Sequence, residues 1–326
     1  FGDYERPVWD ATTNSGLDLV AVVGNNTLPS GVVTIETSAG DSIYRNLQAA
    51  YDGIAESGVT YARNPETGDL IVTEGMSIQT AVDAADPGAT VNVQSGTFNE
   101  SDIVLDKPVT IAGAGMDSTV VDAQNSSNSG NQHVFVVRSN ETTIRNLTMT
   151  DGHDAIRISQ GAHVQGFTLR DTRVNDSNIG MYVAGNAVDS QNGEFDDVLF
   201  KDTRWVDNER KAIYVEKLSN ATFDGLYIDG VTDPDYGFMG GVDINLKGGH
   251  YTNVVIRDSV VRNVTKGSPY NGNPAFSSAI AVKGRDDSSY DDNPGYLDGL
   301  TIDNVTIEDS FNGLRLGEPG KVLSTP

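Results

Sequence analysis

The sequence predicts an all-β chain, a right-handed parallel β-helix whose rungs each contribute three strands, led by a small α+β cap or assembly segment. One short apolar triplet recurs along most of the chain, and a second, alternating phrase follows each copy. Asn, Asp and Gly separate the two, and helical periodicity is almost absent.

The triplets are Ala155-Ile156-Arg157-Ile158, Gly180-Met181-Tyr182-Val183, Ala212-Ile213-Tyr214-Val215, Val242-Asp243-Ile244, Ala279-Ile280-Ala281-Val282 and Gly313-Leu314-Arg315-Leu316. They return every ~25 to 35 residues, the interval of a solenoid. Phrases such as Phe223-Asp224-Gly225-Leu226-Tyr227-Ile228 and Val254-Val255-Ile256-Arg257-Asp258 follow them, and tails such as Asn304-Val305-Thr306-Ile307 come next. Strands this short cannot satisfy their backbones alone. Stacked as coils, each rung pairs with the rungs above and below and buries its inward residues against them.

A different signal opens the coil. Ser77 is placed to cap a short helix on which Ile78, Val82 and Ala85 share a face, and Pro87-Gly88 ends it, so the helix would plug the open core. Ala89-Thr90-Val91-Asn92-Val93, Val109-Thr110-Ile111-Ala112-Gly113 and Ser118-Thr119-Val120-Val121 then begin the strands. From Ser77 to about Leu316 the chain resembles the pectin-lyase-like β-helix superfamily, in the form of NosD-like and other surface-associated carbohydrate-binding β-helices. The resemblance implies the fold and leaves the activity open, because the superfamily holds lyases, hydrolases, esterases, tailspikes and inactive members. Residues 1–76 form the leading segment and 77–326 the coil. Val20-Ala21-Val22-Val23 and Val32-Val33-Thr34-Ile35 read as strands, and residues 42–56 read as an amphipathic helix. The other reading of this segment is an irregular extension along the coil. After Leu316 no capping helix is legible, so either the chain continues or the last rung docks on something.

Composition restricts the partners. The 326 residues carry 22 Lys and Arg against 46 Asp and Glu, a net charge of -24. Such a surface repels phosphate backbones and anionic lipid, which excludes nucleic acid as a partner. Asp-rich acidity spread along the chain suits high salt, where screening shortens to about 3 Å, and points to a haloarchaeal or similar source. Cysteine is absent, and no apolar run is long enough to span a bilayer. A start at Phe1 fits a processed, exported protein. Asn-x-Ser/Thr sequons at Asn25, Asn99, Asn125, Asn140, Asn146, Asn175, Asn220, Asn263 and Asn304 fit an extracellular glycoprotein of the cell surface.

With the apolar neighbours inward, the outward row on the recurring strand reads Arg157, Tyr182, Tyr214, Asp243, Ala281 and Arg315. It holds a single carboxylate, whereas glycoside hydrolysis needs a pair. Asp154, Asp207 and Asp233 are assigned to an adjoining corner. The polygalacturonase-like motifs are absent, Asp151-Gly152-His153-Asp154 being the nearest approach, and pectate-lyase-like Ca²⁺ and Arg signatures are not found. The four histidines, at 133, 153, 163 and 250, show no metal-ligand spacing, so no metal site is assigned. Asp286, Asp287, Asp291 and Asp292 are the one candidate Ca²⁺ loop, without the twelve-residue pattern. Loops at 184–194, 231–241, 266–277 and 284–296 exceed the minimal rung and bring aromatic rings. Tyr236, Tyr270, Tyr290 and Tyr296 therefore join Arg157, Tyr182, Tyr214 and Asp243 as the glycan-contact surface, on which sugars would stack. The expected function is a non-catalytic surface glycoprotein whose partners are glycans or copies of itself, with no catalytic residue assigned. The alternatives are a polysaccharide lyase or hydrolase, the lyase using Arg157, Tyr214 or Asp243, and a viral tailspike.

Overall fold

The computed structural model describes residues 19–23, 31–37, 59–63, 67–125, 131–185, 194–269, 276–286 and 290–317. It is a right-handed parallel β-helix, as the triplets require. Eight strands stack in parallel as a front sheet: Ile103–Leu105, Phe135–Val137, Asp154–Ile158, Ile179–Val183, Lys211–Val215, Gly240–Leu246, Ser278–Gly284 and Leu314–Leu316. The remaining coil strands form the other two walls, as in Thr143–Arg145 and Thr148–Thr150, which precede Asp154–Ile158 in one rung. The registers Arg157↔Tyr182, Tyr182↔Tyr214, Tyr214↔Asp243, Asp243↔Ala281 and Ala281↔Arg315 place the outward row in one line.

Inside the coil, Ile156, Met181, Ile213, Val242 and Ile280 are buried, and Phe167, Phe200 and Phe223 form an aromatic ladder with Phe200 and Phe223 stacked at 4.8 Å. Trp205 lies wholly inside and satisfies its indole N–H on the Thr203 hydroxyl at 2.9 Å. Its bulk explains Gly180, where a Cβ would come within 2.8 Å of the indole ring. The front triplets therefore begin with Ala or Gly at Ala155, Gly180, Ala212, Gly241 and Ala279, because the opposite wall fills that corner.

The turns between walls share one backbone conformation. Glu141, Gly166, Asp197, Asn220, Asn253 and Gly299 all have positive φ and stack above one another; so do Asn146, Asp171, Asp202, Gly225, Asp258 and Asn304, and Asp151, Asp176, Asp207, Gly230, Asn263 and Asp309. Asn, Asp and Gly tolerate the left-handed region best, which accounts for much of the Asp and Asn in this sequence. Amide ladders reinforce the columns: Asn253 donates to Asn220 at 2.9 Å, and Asn304 to Asp258 at 2.6 Å.

The predicted helix spans Ile78–Ala84, with the Ser77 hydroxyl accepting from Thr80 N–H at 3.0 Å. Glu100, unforeseen, accepts from the Ile78 and Gln79 amides at 2.7 and 2.9 Å and so completes the cap with a negative charge. Ile78, Ala81 and Val82 are buried. In the leading segment, Leu19–Val23 and Gly31–Thr37 pair antiparallel at the expected places, with Val59–Arg63 beside them. The first parallel pair of the coil is Leu70–Val72 with Thr90–Val93. The helix expected at 42–56 lies outside the described residues.

Candidate functional site

The outer wall of the front sheet carries a continuous polar strip. Period two along each strand places residues two before and two after the central row on the same face. That rule adds Glu216 and Asn245, and Lys247 follows in the same direction; Asp154 and Lys211, three before Arg157 and Tyr214 at the starts of their strands, border the strip on the other side through their ion pairs with Arg157 and Asp243. Asp154, Lys211, Glu216, Asp243 and Asn245 are all buried. The single carboxylate expected of this face is thus corrected to three, Asp154, Glu216 and Asp243, because the sequence reading kept one outward position per strand. Of the acids assigned to the corner, Asp154 belongs to the front strand itself. Asp207 is exposed in a left-handed column, and Asp233 pairs with Arg210 at 3.1 Å.

Two of the three carboxylates are closed by lysines: Lys211 pairs with Asp243, and Lys247 with Glu216. Between them Tyr214 donates to Glu216 Oε1 at 2.8 Å and accepts from the Asn245 amide at 2.8 Å. Burial first, then the nearby charges of Glu216 and Asp243, drives the Tyr214 hydroxyl well above the ordinary phenol pKa. Burial and Glu216 push Tyr182 up to about 12. Neither phenol is poised to become a base near neutrality. This weakens the lyase chemistry considered for Tyr214, and Asp243 is engaged by Lys211.

The rings are also not free platforms. Tyr182 and Tyr214 pack 5.2 Å apart, the Arg157 guanidinium lies 4.0 Å over Tyr182, and Lys211 Nζ sits 4.5 Å from the Tyr214 ring centre. The faces meant for sugar stacking are occupied by one another and by cations, so this strip offers edges, hydroxyls and positive charge. No described residue hydrogen-bonds the Tyr182 hydroxyl. Tyr236 packs against Phe238 and beneath Arg210, and Tyr290 lies 5.1 Å below Arg285 and 5.7 Å from Lys247. These two loop rings border the strip. Tyr296 stands on the adjoining wall opposite His250, 60% exposed, and Tyr270 lies outside the described residues.

Front-strand stacking brings two of the four histidines together. Phe135 pairs with Ile156, so His133 stands over Asp154, and His153 is its chain neighbour. His133 Nδ1 and His153 Nδ1 each lie 3.4 Å from a carboxylate oxygen of Asp154, whose Oδ2 accepts from Arg157 at 3.0 Å. The scattered appearance of these two residues in sequence does not hold in space. His163 is exposed, and His250 pairs with Asp298 at 2.6 Å. Asp286, Asp291 and Asp292 do not gather as a three-ligand group among the described residues, and Asp287 lies outside them.

Among the sequons, Asn99, Asn140, Asn220 and Asn304 are exposed, Asn146, Asn175 and Asn263 are half-buried, Asn125 is buried, and Asn25 is outside the described residues. Asn146, Asn220, Asn263 and Asn304 occupy left-handed columns, which gives them a backbone role of their own.

The stacked rungs and their parallel registers define a right-handed parallel β-helix. The family model described as right handed beta helix region matches residues 132–283. No curated protein matches the chain by sequence. Among solved structures, the chain is similar to the catalytic domain of a GH87 alpha-1,3-glucanase in complex with nigerose, at 16% identity and TM-score 0.41 over 79% of this chain and 56% of that one. It is also similar to an alginate lyase from Paenibacillus sp. str. FPU-7, at 15% identity and TM-score 0.40, covering 74% and 96%. ORF18 of Geobacillus virus E2 aligns over 90% of this chain and 70% of its own, at 14% identity and TM-score 0.30. The chain spans about half the length of the glucanase chains it matches, 46% to 56%. No helix among the described residues is long and apolar enough to cross a membrane.

Proposed function

We propose that this protein is a non-catalytic, extracellular surface glycoprotein that binds an acidic polysaccharide along its front sheet. The observation that carries the reading is the strip's charge. In a chain of net charge -24, the front strands and the residues just after them hold Arg157, Lys211, Lys247, Lys283, Arg285 and Arg315, of which Arg157, Lys211 and Lys247 are paired with Asp154, Asp243 and Glu216. Arg157, half-buried over Tyr182 beside an unengaged phenol hydroxyl, presents a planar donor set suited to a uronate or sulfate group. The buried Lys–carboxylate pairs give the strip a rigid floor, and raised phenol pKa values fit binding better than proton abstraction.

Titration calorimetry of the full chain with alginate- or pectate-type oligosaccharides against neutral glucans tests this. Acidic ligands should bind, neutral ones should not, and Arg157→Ala should weaken binding roughly tenfold to a hundredfold, as expected of a charge-assisted contact of about 1.5–3 kcal/mol. Equal binding of neutral glucans, or release of unsaturated or reducing-end products, would replace this reading with neutral-glycan binding or with the enzyme alternative. Association with copies of itself rests on a separate observation, the exposure of Leu314 and Leu316 at 48% and 59% on the last described front strand. Sedimentation should show an assembly that Leu316→Glu disperses.

A further inference from the structure

We infer that His133, His153 and Asp154 form a divalent transition-metal site at the edge of the front sheet. The ligand atoms of the three residues lie within 4.8 Å of one another, brought there by the stacking of one rung on the next. Two imidazole nitrogens and one carboxylate are a donor set for Zn²⁺ and its neighbours, and ill suited to Ca²⁺ or Mg²⁺. Ligands bound at about 2.0–2.1 Å around a tetrahedral ion sit roughly 3.3–3.4 Å apart. Both histidine-to-carboxylate separations are 3.4 Å, His133 to Oδ2 and His153 to Oδ1, too long for good hydrogen bonds and each the length of one such edge.

Independent of spacing, two atoms here are buried without a hydrogen-bond partner, His153 Nδ1 and Asp154 Oδ1. Asp154 is fully buried, and an orphaned carboxylate oxygen there is costly unless a cation meets it. Its surroundings also orient the ligands. Arg157 holds Oδ2 and leaves Oδ1 turned to His153, while the Asn178 amide sits 3.4 Å from His153 Nε2. With its oxygen toward the ring, Asn178 would accept Nε2–H and leave Nδ1 for the ion, the outer partner that ligating histidines usually have. Against the site stands the Arg157 guanidinium, which shares the carboxylate and lowers affinity. The backbone N–H of Asp154, 3.3 Å from His133 Nδ1, would be displaced. Both rings are partly exposed, so an ion can enter from solvent.

The test is calorimetric titration of the metal-stripped full chain with Zn²⁺ in excess Ca²⁺, which saturates the surface carboxylates. The expected result is one equivalent of Zn²⁺, weakened at least tenfold in His153→Ala and in His133→Ala, with unchanged circular dichroism in both. Ring-nitrogen NMR should show His133 and His153 shifting at Nδ1 on binding. No stoichiometric uptake, uptake abolished by Ca²⁺, or an affinity in both alanine variants equal to the parent's overturns the site. Should Asp154→Asn fail to fold, the two histidine variants decide the matter, because neither ring is fully buried.

Discussion

Lys217 shows how one residue can work against the fold that contains it. Its side chain is almost wholly buried, and its Nζ donates to the Ala162 carbonyl at 2.6 Å with no carboxylate against it. Desolvation alone lowers its pKa to about 8 from the usual 10.5. The folded state therefore binds the proton less tightly than the unfolded chain, and stability rises as pH climbs from about 8 to 10.5. At pH 7 the penalty is about 3 kcal/mol at 1.36 kcal/mol per unit, partly offset in the comparison by the hydrogen bond that a methionine would lose. Lys217→Met should accordingly gain about 1–2 kcal/mol at pH 7, with the pH 8–10.5 slope removed, as measured by urea unfolding. A variant less stable than the parent at both pH 7 and pH 10 would show that the hydrogen bond dominates.

At the scale of the element, the left-handed columns are the part of this fold that local sequence specifies most tightly. Gly225 has φ 72°, and a Cβ there would come within 2.5 Å of Asp202 Oδ1, one rung below. Gly225→Ala should cost about 1–2 kcal/mol for the backbone, with an added share from the collision. Asp202→Gly alone should be nearly neutral, since its 3.5 Å contact with Lys201 is an exposed ion pair. In the double variant the collision vanishes, and a coupling of at least about 0.5 kcal/mol should appear in the thermodynamic cycle. Strict additivity would mean that the carboxylate simply swings aside. The same stacking explains what was legible and what was not. Arg157, Tyr182, Tyr214 and Asp243 fell into line because each sits between two apolar residues. Glu216, two positions after Tyr214, and Lys211, three before it, were missed because no apolar pair marks them. His133 and Asp154 are 21 residues apart, one rung, so the spacing that matters for ligands in a coil is the rung and not the short gap of a turn or helix. Glu100 was hidden in the same way, a full rung beyond the helix it caps.

For the whole molecule, charge is the variable that the surroundings control. Arg257 and Arg262 hold Asp224 and Asp229 below the usual carboxylate pKa, through hydrogen bonds of 2.8 and 2.6 Å. Lowered folded values mean stability that is present above pH 3.8 and lost as pH falls through them. Asp151, raised by burial and by Asp122 and Asp176, works in the opposite direction and favours mild acid. Unfolding followed by fluorescence should thus be steepest below pH 3.8, and Arg257→Gln with Arg262→Gln should flatten that limb; an unchanged limb would assign it to other acids. Salt acts on the same charges at neutral pH. Asp171 and Asp202 stack in one column, and Asp176 and Asp207 in another, on rungs about 4.8 Å apart, where two carboxylates in water repel by about 1 kcal/mol. Screening at about 10 Å in 0.1 M salt leaves most of this repulsion, and screening at about 3 Å in 1 M removes most of it. The melting temperature should therefore climb steadily with NaCl from 0.1 to 2 M. Asp171→Asn with Asp207→Asn should raise the low-salt value and reduce the slope, because Asn keeps the left-handed turn and drops the charge. A salt response identical in parent and variant would place the repulsion outside these columns, and a melting temperature indifferent to salt would remove the case for a high-salt habitat.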